Sequence, residues 1–316
     1  MKKVTTAPFK MIMLSAMYEN GGNTTHRLLD GHPELCVYPF ESQPGTKFVN
    51  DFLSSLYPLK YRWPIFPASA SAEEMYELII DEEGKVRAKT PFVSKFRDAN
   101  IEMSDKDRKA DFVAFLEGKE LNRANVMEAF FRASFTAWKN YKHTGEEKGW
   151  VGYSPIIGVD GDKIINDYDQ KSYVLHVVRN PFSAYADTKK RAVPLSIAHY
   201  MTGWVNSQYF AQLYAEKYPD NFFVVRFEDI IKDPVKVLGD ILGKMGIGTS
   251  PTLAYPSWHG EKLTEVFPWG TVRTPTEEAN LKTAQELSKA EITEIYSRTK
   301  LYIDLLNYND IHKKIA

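Results

Sequence analysis

The stretch that most restricts the fold runs from Phe9 to Glu41, FKMIMLSAMYENGGNTTHRLLDGHPELCVYPFE. The apolar run over 11–14 is too short for a buried helix and reads as a strand. A glycine-bearing turn follows over 19–23, a short helix opens at Thr24 and Thr25, and a second strand is expected near 36–38. Strand, tight turn, helix, strand is the unit from which parallel sheets are built. Gly21 and Gly22 let the backbone turn sharply and approach a ligand closely, and the helix start leaves N–H groups without intrahelical partners. Such a start attracts anions, and the Thr24 and Thr25 hydroxyls add donors. The pattern GxxxxGK[ST] is absent, which argues against an ordinary ATP or GTP site.

Further along, four prolines and five aromatics over 42–67 predict helix pieces and irregular loops rather than a linker. Ser71 with Glu74 forms a capping box for a helix over 71–81, and KTPFVSKF over 89–96 is a short segment that could face the site. Helices are expected over 105–141, where Val126, Phe130, Phe131, Ser134, Trp138 and Tyr141 recur at helical spacing as a core stripe. Short strands over 149–155 and 163–166 are predicted around a VDGDK turn; Asp160 and Asp162 lack the other ligands of a calcium loop. Val174 to Val178 is a continuous run suited to a strand buried on both faces, and it ends in Arg179-Asn180-Pro181, where Asn180 can cap and Pro181 can open a helix. A helix over 194–218, a strand over 222–225, a helix from Pro234 through Lys244 and a last helix over 289–306, with Ser288 and Glu291 as its capping box, complete the pattern. Strands alternating with helices predict an α/β fold: one domain over 1–316, a central mainly parallel sheet with helices on both faces, and a mainly helical insertion over 42–148 shaping the acceptor cleft.

Composition narrows the partners. The 316 residues are 43% hydrophobic and 13% aromatic, enough for one large core, and the formal net charge of −1 gives no global field to draw in nucleic acid or an anionic membrane. The single Cys36 rules out an intrachain disulfide framework and a multi-cysteine zinc site; it reads as core filler in a reducing, cytoplasmic compartment. Lys10 cuts the first apolar run to less than a signal or membrane segment needs.

Four segments in order resemble the sulfotransferases that use 3′-phosphoadenosine-5′-phosphosulfate (PAPS). GGNTTHRLLDGHP (21–33) is similar to their RSGTT loop with a helix ending in LxxHP. YVLHVVRNPFSAYADTKKR (173–191) resembles their strand running into RxP. FFVVRFEDIIKDPVKVLGDILGKMGI (222–247) resembles their strand, acidic turn, DP and helix, and PWGTVRTPTEEANLKTAQELS (268–288) their C-terminal loop and helix. The resemblance implies a P-loop-containing nucleotide hydrolase-like fold, closer to the carbohydrate, tyrosylprotein and bacterial branches. It also implies transfer of a sulfuryl group from PAPS to a hydroxyl of a carbohydrate or small metabolite, with adenosine 3′,5′-bisphosphate as product and no metal.

By the same resemblance Gly21, Gly22, Asn23, Thr24 and Thr25 would cradle the 5′-phosphosulfate, and Arg179 would hold the 3′-phosphate, a task that suits the guanidinium fork. Two positions depart from the family: Gly21 stands where a Lys or Arg is usual, and Asp187 where a Ser is. Arg273, in a loop resembling the family's C-terminal phosphate-contacting region, and Lys189, Lys190 and Arg191 are nearby cations; Arg27 and Lys89 are candidates for the loop cation. Glu41, at the end of the second strand, is the proposed general base, with helix capping as its other reading; His32 and His176 are rivals that read as structural, and Glu228 and Asp229 read as loop anchors. A nucleotide-binding member without catalysis and a P-loop-like kinase are the competing classes.

Overall fold

In the computed structural model, which describes residues 8–264 and 276–316, the organising stretch folds as β1 (Met11–Ala16), α1 (Gly22–Asp30) and β2 (Leu35–Val37). Between β2 and β3 (Gly149–Tyr153) come α2 (Ala72–Leu78), α3 (Glu82–Lys89), α4 (Asp105–Leu116) and α5 (Arg123–Ala137). Then follow α6 (Gly161–Asp167), β4 (Tyr173–Val178), α7 (Pro181–Thr188), α8 (Ile197–Lys217), β5 (Phe222–Arg226), α9 (Phe227–Lys232) and α10 (Pro234–Lys244). A small hairpin, β6 (Ser257–Trp258) with β7 (Glu261–Lys262), precedes α11 (Glu277–Ala284), α12 (Lys289–Leu305) and α13 (Asn309–Ile315).

The five strands β1 to β5 form one all-parallel sheet in the order β2-β3-β1-β4-β5. β1 sits at its centre because all six of its residues are buried, so it must be covered on both edges and both faces. Side chains alternate along a strand. Met11 and Met13 therefore pack with Trp150, Val174 and the α4–α5 aromatics, while Ile12 and Leu14 pack on the other face with Leu28 and Leu29 of α1 and Leu238 and Leu242 of α10. The chain leaves β3 on one side of β1 and re-enters as β4 on the other, so the strand order reverses around β1. In open parallel sheets that point, at the carboxyl ends of the strands, is where a ligand crevice forms.

One predicted element changes type. Residues 163–166 belong to α6, not to a strand: Ile164 and Ile165 are both fully buried, a pair that fits either structure, and both edges of β1 are already taken by β3 and β4. Asp160, read as a turn residue, is 1% exposed and accepts from Arg62 Nε at 2.7 Å and from the Trp63 N–H at 2.9 Å. Arg62, itself fully buried, also grips Asp51 at 2.8 Å, so it fastens the irregular segment after β2 onto α6. The capping boxes at Ser71–Glu74 and Ser288–Glu291 are present. Among the described residues no helix is long and apolar enough to cross a membrane.

Candidate active site

The carboxyl ends of all five strands open onto one cleft of about 750 Å³. β1 supplies Tyr18, Glu19 and Gly21, and α1 supplies Gly22, Asn23 and Thr24. β2 leads to Glu41, β3 to Tyr153 and Pro155, β4 to Arg179 and β5 to Phe227. The far wall comes from Asp187, Lys190 and Arg191 after β4 and from Asn280, Lys282 and Glu286 around α11.

The floor is the turn before α1. Gly21 caps the helix in the left-handed conformation, φ 86°, and makes no side-chain cap. Thr25 N–H to Gly21 C=O, 2.9 Å, is the first helical bond, so the N–H groups of Gly22, Asn23 and Thr24 stand ahead of the ladder. No acidic residue occupies the first turn, and the helix end keeps its partial positive charge for a ligand. The helix starts two residues earlier than the threonine pair suggests. Thr24 therefore lines the cleft, whereas Thr25 is fully buried and its hydroxyl donates to Gly21 C=O at 3.0 Å. Thr25 is thus removed from the predicted cradle.

The absent loop cation has a steric cause. A Cβ on Gly21 would lie 2.1 Å from Phe227 Cδ2, and one on Gly22 2.5 Å from the Tyr153 hydroxyl. The positive φ adds to the cost of any side chain at Gly21. Neither proposed substitute takes the place. Arg27 is buried beneath Trp258, 4.7 Å from the ring centre, and donates to the Pro39 carbonyl at 3.1 Å, while Lys89 ends α3 and does not line the cleft. Lys189 is tied to Glu291 at 2.7 Å, away from the cleft; Lys190 and Arg191 do line it. Arg273 lies outside the described residues.

Arg179 is held at the centre by three different segments. Its Nε donates to Asn280 Oδ1 at 2.7 Å, and Nη1 donates to the Glu19 carbonyl at 3.0 Å and to Asp187 at 2.8 Å. Its Nη2 has no partner among the described residues. Buried Asn20 ties the loop after β1 to the loop after β4: its Oδ1 accepts from the Arg179 backbone N–H at 2.9 Å and from Trp204 Nε1 at 3.2 Å. Glu228 is an anchor, as its sequence context suggests, accepting from Asn180 at 2.7 Å and Asn280 at 2.9 Å. Asn20 and Asn280 are missed by sequence reasoning because their partners lie 159 and 101 positions away.

Around Glu41 stand Tyr18, Tyr61 and Tyr153. Burial, with the Glu41 charge added to it, raises all three phenols, Tyr18 to about 12, so each remains a neutral hydrogen-bond donor near pH 7. Glu19, left-handed at φ 58°, adds a second carboxylate, raised above its ordinary value chiefly by burial and also by Asp187 and Glu41. The rival histidines are remote. His32 Nε2 contacts the Gly248 carbonyl at 2.8 Å, and His176 is fully buried between Ser15 and Gln208, its pKa lowered to about 4 by burial.

Charge in the cleft is balanced among the described residues. Arg179, Lys190, Arg191 and Lys282 line it together with Glu19, Glu41, Asp187 and Glu286. Asp187 bonds Arg179 at 2.8 Å and Lys190 at 3.3 Å, Glu286 meets Lys190 at 2.7 Å, and Glu19 meets Arg191 at 3.5 Å. The cations are thus present and held by carboxylates.

No family model matches the chain, and no curated protein does. Solved structures that resemble it include the sulfotransferase domain from the curacin biosynthetic pathway (15% identity, 93% of this chain and 99% of that one, TM-score 0.49). Others are the sulfotransferase domain of the Synechococcus olefin synthase (15%, 89% and 95%, 0.45) and a sulfotransferase from Mycobacterium tuberculosis (14%, 78% and 70%, 0.40). These are similarities of overall plan at low identity, silent on cofactor and acceptor.

Proposed function

We propose that the cleft binds PAPS and that the chain transfers its sulfuryl group to a hydroxyl. The observation that carries the reading is the convergence on one cleft of an uncapped helix start behind left-handed Gly21, a strand-end arginine with an unused Nη2, and a carboxylate on the neighbouring strand end. The volume suits a nucleotide-sized ligand. The N–H groups of Gly22, Asn23 and Thr24 would receive the 5′-phosphosulfate, and Arg179 the 3′-phosphate by opening its pair with Asp187. In the reaction the acceptor oxygen bonds to sulfur, the bond from sulfur to the phosphate oxygen breaks with its electron pair left on phosphate, and the acceptor proton goes to Glu41. Glu41 orients the acceptor hydroxyl and takes its proton; the neutral phenols of Tyr18, Tyr61 and Tyr153 donate to oxygens that gain charge.

The carboxylate-held cations favour a second reading, a nucleotide binder without catalysis. Incubation with radiolabelled PAPS and a mixed panel of sugars, phenols and alcohols separates the two. Label moved to a hydroxyl by the wild type, and slowed at least about 100-fold in Glu41→Gln with unchanged affinity for adenosine 3′,5′-bisphosphate, is the expected outcome. Nucleotide binding with no label moved to any acceptor would establish the second reading instead.

A further inference from the structure

Beside the cleft lies a smaller cavity of about 380 Å³, lined by Met17, Tyr18, Leu56, Tyr57, Leu195 and Ala198 together with Ser196, His199, Thr202 and Gly203. Tyr18 lines both spaces and is the partition between them. On the cleft side Tyr18 carries the Arg191 guanidinium 5.0 Å from its ring centre, and its edge meets Tyr61, the neighbour of Glu41.

The chemistry of this wall is one-sided. No Asp, Glu, Lys or Arg lines it. Three of its four hydroxyls already make bonds inside the protein. Ser196 Oγ accepts from the His199 N–H at 3.2 Å as the cap of α8, Thr202 donates to the Ala198 carbonyl at 2.8 Å, and Tyr57 donates to the Gly203 carbonyl at 3.1 Å. The His199 ring and the Tyr18 hydroxyl are the polar groups of this wall without a hydrogen-bond partner among the described residues. A sugar placed here would lose water from many hydroxyls and meet almost no donors or acceptors in return, whereas an apolar ring or chain gains by leaving water. Of the insertion over 42–148, the segment after β2 lines the two spaces, with Leu56 and Tyr57 on this cavity and Tyr61 on the cleft; residues 105–141 line neither, and the start of α8 completes this wall.

We propose that the smaller cavity is the acceptor subsite and that it takes a neutral, predominantly apolar alcohol or phenol, whose body fills the cavity and whose hydroxyl reaches past Tyr18 toward Glu41. This rests on the sulfuryl-transfer reading of the cleft. His199 positions the acceptor, and the partition keeps the apolar body out of the charged cleft.

The test is calorimetric titration of the full chain with 2-naphthol, glucose and adenosine 3′,5′-bisphosphate, in the wild type, in Ala198→Phe, which fills the cavity from an exposed helix position, and in His199→Ala. The expected result is 2-naphthol binding that weakens at least about tenfold in Ala198→Phe, no glucose binding, and one nucleotide affinity in all three proteins, which also shows that the variants are folded. Nucleotide binding retained while 2-naphthol binds the wild type and Ala198→Phe equally, or binds neither, overturns the acceptor subsite and leaves the reading of the cleft standing. Loss of 2-naphthol in Ala198→Phe with no nucleotide bound by any of the three makes the cavity an apolar site unconnected with sulfuryl transfer, which also overturns the proposal.

Discussion

Replacing Gly21 by alanine tests the geometry on which the phosphate-binding reading stands. Two costs add. A non-glycine residue held at φ 86° pays roughly 1–2 kcal/mol for the left-handed backbone. The new methyl, 2.1 Å from Phe227 Cδ2, also pushes aside a ring that is only 5% exposed, and forced repacking of that kind costs about 1–3 kcal/mol. Gly21→Ala should therefore destabilise the chain by about 2–5 kcal/mol in equilibrium urea unfolding followed by circular dichroism. In a Phe227→Ala background, which removes the γ, δ and ε carbons that crowd the methyl, the steric part vanishes and only about 1–2 kcal/mol remains. The cycle thus separates backbone strain from overlap. A loss below about 1 kcal/mol in the wild-type background, or the same loss in both backgrounds, would mean that the loop does not hold the conformation described, and the steric explanation for the missing loop cation would fall.

Asp187→Asn removes the carboxylate that holds Arg179 and Lys190; adenosine 3′,5′-bisphosphate should bind about three- to tenfold more tightly by calorimetry, and unchanged or weaker binding would contradict competition between Asp187 and phosphate. Buried His176 has its pKa lowered to about 4 from an ordinary 6.5. The folded state thus keeps it neutral, and the stability it contributes is complete above pH 6.5 and lost as pH falls toward 4. That loss amounts to about 3 kcal/mol by urea unfolding and should be missing from His176→Gln, whose profile would otherwise follow the wild type. Arg62→Met leaves Asp51 and the buried Asp160 with Lys163 as their remaining cation, 3.5 and 2.7 Å away, and should cost about 3 kcal/mol, with part of it recovered by adding Asp160→Asn; equal stability of the single and double variants would show that the pair does not fasten the segment after β2.

The sheet was legible because its central strands are unambiguous. Met11–Ala16 and the run into Arg179 are apolar on both faces, and a strand of that kind fits only the interior of a parallel sheet. Local signals also held where the cause was local, as at the two capping boxes and at Asn180, whose side chain accepts from the Ser183 N–H. Legibility failed where the cause was distant. The choice between helix and strand at Ile164–Ile165 turned on which edges of β1 were occupied. The burial of Arg27 depended on Trp258, far along the chain; at Thr25 the cause was near but unmarked, a helix that starts at Gly22 and turns the hydroxyl back to Gly21. Asn20 and Asn280 carry no pattern of their own; only the folded chain brings them to Arg179.

The most direct test of the account is the difference in affinity between adenosine 3′,5′-bisphosphate and AMP, measured by calorimetry on the same protein, with ATP as a further control. The account predicts that the bisphosphate binds at least about tenfold more tightly than AMP and that Arg179→Ala abolishes the difference while leaving AMP binding in place. Equal affinity for the two nucleotides, or a preference for ATP, would contradict it.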